Sequence, residues 1–242
     1  MYRVLGISVL LLFPIHLMGC GDDESTPISM PTSPPTSTFA AQAVHASPDA
    51  PAVDVFVNGN EAFSGLTFFD VTAFATVPTG STDIDVFVST PGTNLPSTAP
   101  VISATVSPPA NTSQTVAVGG VLNPAAGQEP LKIFAFPADV IPSSGLAEVR
   151  IIHLSPDAPP VDVRLGNQDP EGTLLTTLAY GQPTSRNLEL APGTYTVSIF
   201  ASGTSTFAGG ASFTVEANTN YTVYAVGLLG DGSFRLEVAQ DN

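Results

Sequence analysis

The sequence predicts an all-β protein: two tandem immunoglobulin-like antiparallel β-sandwich domains after a signal peptide and a disordered stalk. Three observations predict it. The thirteen residues HASPDAPAVDVFV, from His45 to Val57, recur as HLSPDAPPVDVRL from His153 to Leu165 with nine identities. Around both copies apolar and polar side chains alternate with a period of two, and Gly, Pro, Asn or Asp interrupts them about every ten residues, as in short antiparallel strands. The composition agrees: 43% hydrophobic, 11% charged, 21 Gly and 23 Pro, with no long Ala/Leu/Glu/Lys run to favour helices.

The chain opens with MYRVLGISVLLLFPIHLMGC. One cation, Arg3, precedes an apolar stretch from Val4 to Ile15 that is too short to span a hydrocarbon core of about 30 Å. Residues 1–19 therefore read as a signal peptide. Leu17-Met18-Gly19-Cys20 resembles the bacterial lipobox, after which the Cys is acylated and becomes the mature amino terminus. Met18 departs from the smaller residue usual at its position. Cys20 is the only cysteine, so it is not part of an internal disulfide framework. Several acyl chains, each buried CH₂ worth about 0.8 kcal/mol, give a stable membrane anchor. Gly21 stands where, in the lipoproteins it resembles, Asp favours inner-membrane retention, so the expected address is the bacterial cell envelope, with the outer membrane favoured over the inner.

Residues 20–38 are the lipidated Cys and a stalk. From Gly21 to Thr38, twelve of eighteen residues are Pro, Ser or Thr. Such a segment buries too little to offset ordering entropy, and proline stiffens it toward polyproline II, about 3.1 Å per residue and roughly 55 Å in all. Residues 39–142 form the first module and residues 146–242 the second. The repeat extends past the motif: Val77-Pro78-Thr79-Gly80 parallels Leu190-Ala191-Pro192-Gly193, and Ala110-Asn111-Thr112 parallels Ala217-Asn218-Thr219. A unit of about 100 residues is far longer than a solenoid repeat, so these are tandem domains. Within them Val53, Val55 and Val57 share one strand face. Asn58-Gly59 after that strand is a tight-hairpin signal, because both central residues of the turn need positive φ.

HxSPDAPxVDV followed by a strand, a PG turn and a later ANT segment resembles domain of unknown function 4397. The resemblance covers residues 39 to 242. It implies an exported or lipid-anchored, mostly bacterial protein with tandem β-sandwiches, and it implies no activity.

The motif holds both histidines beyond the leader, His45 and His153. Along a strand His45 and Ser47 point to the same face, so a Ser-His pair completed by Asp49 or Asp54 is a conceivable hydrolytic triad. No GxSxG elbow and no oxyanion-hole segment accompany it, and Pro48 commits Ser47 to a turn. A metal site would draw on His45, Asp49 and Asp54, or on His153, Asp157 and Asp162; the spacing matches no standard site, so the metal is unknown. Asp83 and Asp85, on one strand face, are replaced by Thr196 and Ser198 in the second copy. The more economical reading is structural. Ser47-Pro48-Asp49 and Ser155-Pro156-Asp157 suit a type I turn, Pro51 and Pro159 then carry the chain toward the Val-Asp-Val strand, and the His and Asp bond near the corner. Phe68 and Phe69 are adjacent, so at least one ring points outward, as for interdomain packing. Tyr180, Tyr195, Tyr221 and Tyr224 are candidates for a carbohydrate-facing surface.

Six Lys+Arg stand against 21 Asp+Glu, a formal charge of −15. An acidic surface repels phosphate backbones, so no nucleic-acid partner is expected. No catalytic constellation and no cofactor motif emerges. The expected function is a non-enzymatic envelope lipoprotein anchored through Cys20, displaying two sandwiches for adhesion, envelope organisation or protein binding. The alternative is a small ligand, glycan or metal bound at the His/Asp corner; a hydrolase ranks below both.

Overall fold

The computed structural model describes residues 37–90, 99–138, 142–166, 171–185 and 188–241. The signal peptide, Cys20 and nearly all of the stalk lie outside the described residues. Those described form sixteen strands and no helix. The first module contains β1 (Thr38–His45), β2 (Val53–Val57), β3 (Asn60–Leu66), β4 (Ala75–Pro78), β5 (Thr82–Val88), β6 (Ile102–Val106), β7 (Ser113–Gly119) and β8 (Lys132–Pro137). The second contains β9 (Ala147–His153), β10 (Val161–Leu165), β11 (Thr173–Leu178), β12 (Leu188–Leu190), β13 (Gly193–Ala201), β14 (Phe207–Val215), β15 (Asn220–Val226) and β16 (Arg235–Asp241).

Each module is a β-sandwich of two four-stranded sheets. The orders are β4-β1-β7-β8 over β3-β2-β5-β6, and β12-β9-β15-β16 over β11-β10-β13-β14. The predicted Asn-Gly hairpin joins β2 to β3, with φ of 51° at Asn58 and 76° at Gly59. The sheets are antiparallel-rich, as expected, with one parallel pairing in each module. β7 runs parallel to β1 and β15 runs parallel to β9. β1 opens the module and β7 returns beside it only after five intervening strands, a crossover long enough for parallel pairing.

Between the two sheets of the first module lie Ala43, Val53, Val55, Ile84, Val86 and Val116. Val149, Ile151, Val163, Ile199 and Val223 occupy the corresponding space in the second. A third cluster belongs to neither module alone. Val44, Ala117 and Phe136 pack with Ile152, Leu154, Tyr224 and Val226, with Phe68 and Phe69 at its side. These side chains point away from their own sandwich cores, so the sheet containing β1 and β7 lies face to face on the sheet containing β9 and β15. The result is four layers within one compact unit, residues 35–242. All seven residues of β9 are buried.

Burial on both faces places polar side chains in the third cluster, where they must find partners inside the protein. Arg150, 5% exposed, reaches across to the first module: Nη1 donates to the Pro137 carbonyl at 2.5 Å and Nη2 to Thr115 Oγ1 at 3.0 Å. It also donates to Thr222 Oγ1 through Nη2 at 2.9 Å, and its guanidinium lies 3.8 Å from Asp241. Thr222 donates to Asp241 at 2.6 Å, and Thr115 donates to the side-chain carbonyl of Gln42 at 3.3 Å. Burial pushes the Asp241 carboxyl up, against the hydrogen bond from Thr222 and the charge of Arg150. Aromatic contacts flank this layer: Phe69 edge-on to Tyr224 at 5.6 Å, Phe134 edge-on to Tyr180 at 5.5 Å, and the Arg235 guanidinium 4.9 Å above the Phe68 ring.

Arg150→Met keeps most of the buried stem and removes every donor. It is expected to lower the unfolding free energy by about 3 kcal/mol, because Asp241 is left as a buried charge without its partner. Urea denaturation at neutral pH measures it.

Candidate functional site

Each copy of the motif forms the corner where the first strand of a module turns into the second, and the two corners are built alike. His45 ends β1 and is fully buried, as is His153 at the end of β9. The backbone of each is tied to a neighbouring turn. His45 N–H donates to the Asp70 carbonyl at 3.1 Å and its own carbonyl accepts from Phe69 at 2.7 Å. His153 makes the same pair with Gln182 and Gly181, at 3.1 and 2.7 Å. Phe69 and Gly181 hold the same place in that turn, with φ of 66° and 73°. Glycine takes such a conformation freely. A Phe there is strained by about 1 kcal/mol, offset by its packing on Tyr224.

Both imidazole nitrogens are occupied. His45 Nε2 donates to the Pro51 carbonyl at 3.1 Å, and Nδ1 accepts the Ser47 backbone N–H at 3.3 Å. In the second copy Nε2 donates to Pro159 at 3.3 Å and Nδ1 accepts from Ser155 at 3.4 Å. A carbonyl can only accept, so the proton sits on Nε2 and the ring is neutral. Burial lowers the His45 pKa against the Pro51 hydrogen bond and the charge of Asp70. Burial likewise lowers His153 to about 4, against the hydrogen bond to Pro159. The imidazole thus clamps both ends of the Ser-Pro-Asp-Ala-Pro segment.

The aspartate after the proline fastens the corner to a third piece of chain. Asp49 accepts from Leu122 N–H at 2.7 Å and Asn123 N–H at 3.0 Å; Asp157 accepts from Leu229 and Gly230, both at 2.8 Å. These are successive amides of the loop that follows β7 or β15. The loop can present them because Gly120 and Gly227 turn the backbone with φ of 89° and 81°. A Cβ at Gly120 would collide with the Pro130 carbonyl, and one at Gly227 with the Ser233 carbonyl. The sequence reading missed both glycines. The signal was available: each lies five residues beyond the paired threonine, Thr115 or Thr222, so the repeat continues to them.

The hydroxyl of Ser47 donates to Asp49 at 3.3 Å, and that of Ser155 contacts Asp157 at 3.4 Å and the Gly227 carbonyl at 2.7 Å. Histidine meets the serine through its backbone, so the conceivable nucleophile–base pair does not form. Asp54 and Asp162 are not at the corner at all, which corrects the proposed grouping. Asp54 accepts from Gly65 N–H at 2.7 Å, across β2 and β3. Asp162 accepts from Thr177 Oγ1 at 2.7 Å and Gly203 N–H at 3.2 Å. They alternate with Val53, Val55, Val161 and Val163, so they project away from the sandwich core while the histidines project into it. Among the described residues no group of three His, Cys, Asp or Glu side chains is placed to hold a metal ion. Asp83 and Asp85 instead accept from Thr105 and Ser103, at 2.7 and 2.5 Å. The four tyrosines do not share one surface: Tyr221 and Tyr224 are buried, Tyr180 packs on Phe134, and Tyr195, half-buried, donates to the Ala191 carbonyl at 3.0 Å.

The family model for "Domain of unknown function (DUF4397)" matches residues 41–164 and again 147–242. No curated protein matches the chain. Among solved structures, one described as "Alpha-glucan binding by a streptococcal virulence factor" aligns at 11% identity over 82% of this chain and 96% of its own, with a TM-score of 0.25. So distant a likeness carries no argument about this chain.

Because folding depresses the histidine pKa values, the unfolded chain, with His near 6.5, binds protons first as pH falls. The stability that His45 and His153 confer is complete above about pH 6.5 and is lost as pH falls toward about 4, the value of His153. Urea midpoints at pH 7.5, 6 and 5 are expected to fall in that order, and His153→Gln is expected to remove most of the slope. Gly227→Ala is expected to cost at least about 2 kcal/mol, whereas Gly59→Ala, where a Cβ meets nothing within 4 Å, costs about 1 kcal/mol from positive φ alone. Thermal melts of both variants make the comparison.

Proposed function

We propose that this chain, which belongs to the DUF4397 family, is a non-enzymatic lipoprotein of the bacterial cell envelope. It displays a paired β-sandwich body on a proline-rich stalk and acts through that body's surface in adhesion, envelope organisation or protein binding. The observation that carries the reading is Cys20: the sole cysteine, five residues beyond the end of an apolar stretch of signal-peptide length and before eighteen residues rich in Pro, Ser and Thr. Gly21 in place of Asp favours the outer membrane as the address.

The geometry of the corners supports the non-enzymatic part. A hydrolytic or ligand-binding corner needs an imidazole nitrogen or a carboxylate free to meet a substrate. Here both histidines are fully buried with each nitrogen engaged, and Asp49 and Asp157 are each bonded to two backbone amides. The duplicated motif therefore serves the joint between strands in each module. That leaves function to the exposed surface of the body, whose net negative charge fits a partner bearing cationic groups.

Fractionation of cells fed a labelled fatty acid tests the anchor. The native chain is expected to carry label and sediment with membranes, outer-membrane fractions above inner; Cys20→Ser is expected to lose the label and leave the membrane fraction. Retention of the Cys20→Ser chain in the membrane fraction overturns the lipoprotein reading.

A further inference from the structure

An edge strand exposes unpaired backbone groups, and proteins protect such edges with charge, proline, shortness or bulges. The four sheets have eight edge strands, and seven are protected. β3 carries Glu61 and two register shifts. β4 has four residues and ends in Pro78; β12 has three, one of them Glu189. β6 has five residues between Pro100 and Pro108. β8 contains Lys132 and Pro137, and β16 contains Arg235, Glu237 and Asp241. β11 is interrupted where its pairing with β10 shifts, between Val163 and Arg164.

β14 is the exception. It is nine residues long, FAGGASFTV, with neither charge nor proline. Its one register shift falls at its beginning, leaving Gly209–Val215 paired without interruption to β13. Among the described residues its only hydrogen-bonded strand partner is β13; β16, the edge strand of the facing sheet, runs close to it without pairing, and Phe234 lies against Gly209.

We propose that β14 is a self-association edge: the β14 strands of two copies of this chain pair antiparallel about a two-fold axis at Ser212, joining two four-stranded sheets into one. A strand paired with itself must accept its own sequence reversed. Centred on Ser212, Ala211 faces Phe213 on the inward side, Gly210 faces Thr214 on the outward side, and Gly209 faces Val215. Each of these three pairs opposes a small residue to a larger one, Ser212 meets itself at the axis, and none of the four brings like charges together. Gly210 is exposed and has no side chain to hold a second backbone away. In a chain of net charge −15, a long uncharged edge is where two copies approach without opposing carboxylates. The isologous contact closes at two copies.

Sedimentation equilibrium of the detergent-solubilised full chain, over a range of concentrations, tests the proposal. A monomer–dimer equilibrium is expected. Ser212→Lys sets two cations opposite each other at the axis and is expected to raise the dissociation constant at least about tenfold, with an unchanged melting temperature at concentrations where both chains are monomeric. In a Cys20→Ser background, Ser212→Cys is expected to form a linked dimer on mild oxidation. Thr194→Cys, on the same sheet face but one strand inward, is expected not to. A monomer at every concentration, a dimer indifferent to Ser212→Lys, or linkage through position 194 and not 212 overturns the proposal.

Discussion

Everything in the arrangement of the two modules follows from one constraint. The central strands β1, β7, β9 and β15 are buried on both faces over nearly their whole length, so the polar side chains they carry into the layer between the modules must be satisfied within the protein. Arg150 meets that constraint by bonding to both modules at once, through the Pro137 carbonyl and Thr115 on one side and Thr222 on the other. A guanidinium suits the position because its planar fork offers several fixed donors, where an ammonium offers one compact charge. The repeat makes the role visible by contrast: the place of Arg150 in the second module is that of Gln42 in the first, each three residues before the motif histidine. The modules therefore meet through equivalent faces that are chemically unequal, one bringing the cation and the other a carbonyl and a hydroxyl to receive it.

The corners obey a related constraint. A sandwich needs its first strand to leave one sheet and enter the other within a few residues, and the turn must not leave backbone groups unpaired. Histidine, serine and aspartate each close one part of that turn, and a positive-φ glycine on a distant loop completes it. This explains why Asp49 and Gly120 belong together although they are far apart in sequence: the carboxylate is useful only if two successive amides face it, and they face it only if the loop turns as a residue without Cβ allows. The same set in both modules marks a joint needed twice. Where the copies differ, as at Phe69 and Gly181, the difference lies at the contact between modules, where the two sides have unequal surfaces to fill.

Much of the fold was legible in the sequence. The period of two, the Asn58-Gly59 turn and the recurring motif identified strands, a hairpin and two β-sandwich modules, because these are local or near-local signals. The parallel pairings were not legible, since which strand lies beside β1 is decided by closure of the whole module. Nor was the third cluster. Gln42, Thr115, Arg150 and Thr222 stand at the polar positions of alternating strands, and alternation reports only that one face differs from the other. It cannot say whether the polar face meets solvent or another sheet.

By itself the sequence determined that the chain is built of strands, that it is built from two similar units, and that the repeated His-x-Ser-Pro-Asp segment is a turn between strands, because side-chain period, proline and the duplication are properties of the chain alone. Tertiary structure decided which side of that turn each group faces, that Asp54 and Asp162 part from the histidines, and that two sandwiches share a buried layer around Arg150. The physical reason is burial: a side chain's chemistry depends on what surrounds it, and residues distant in sequence supply those surroundings.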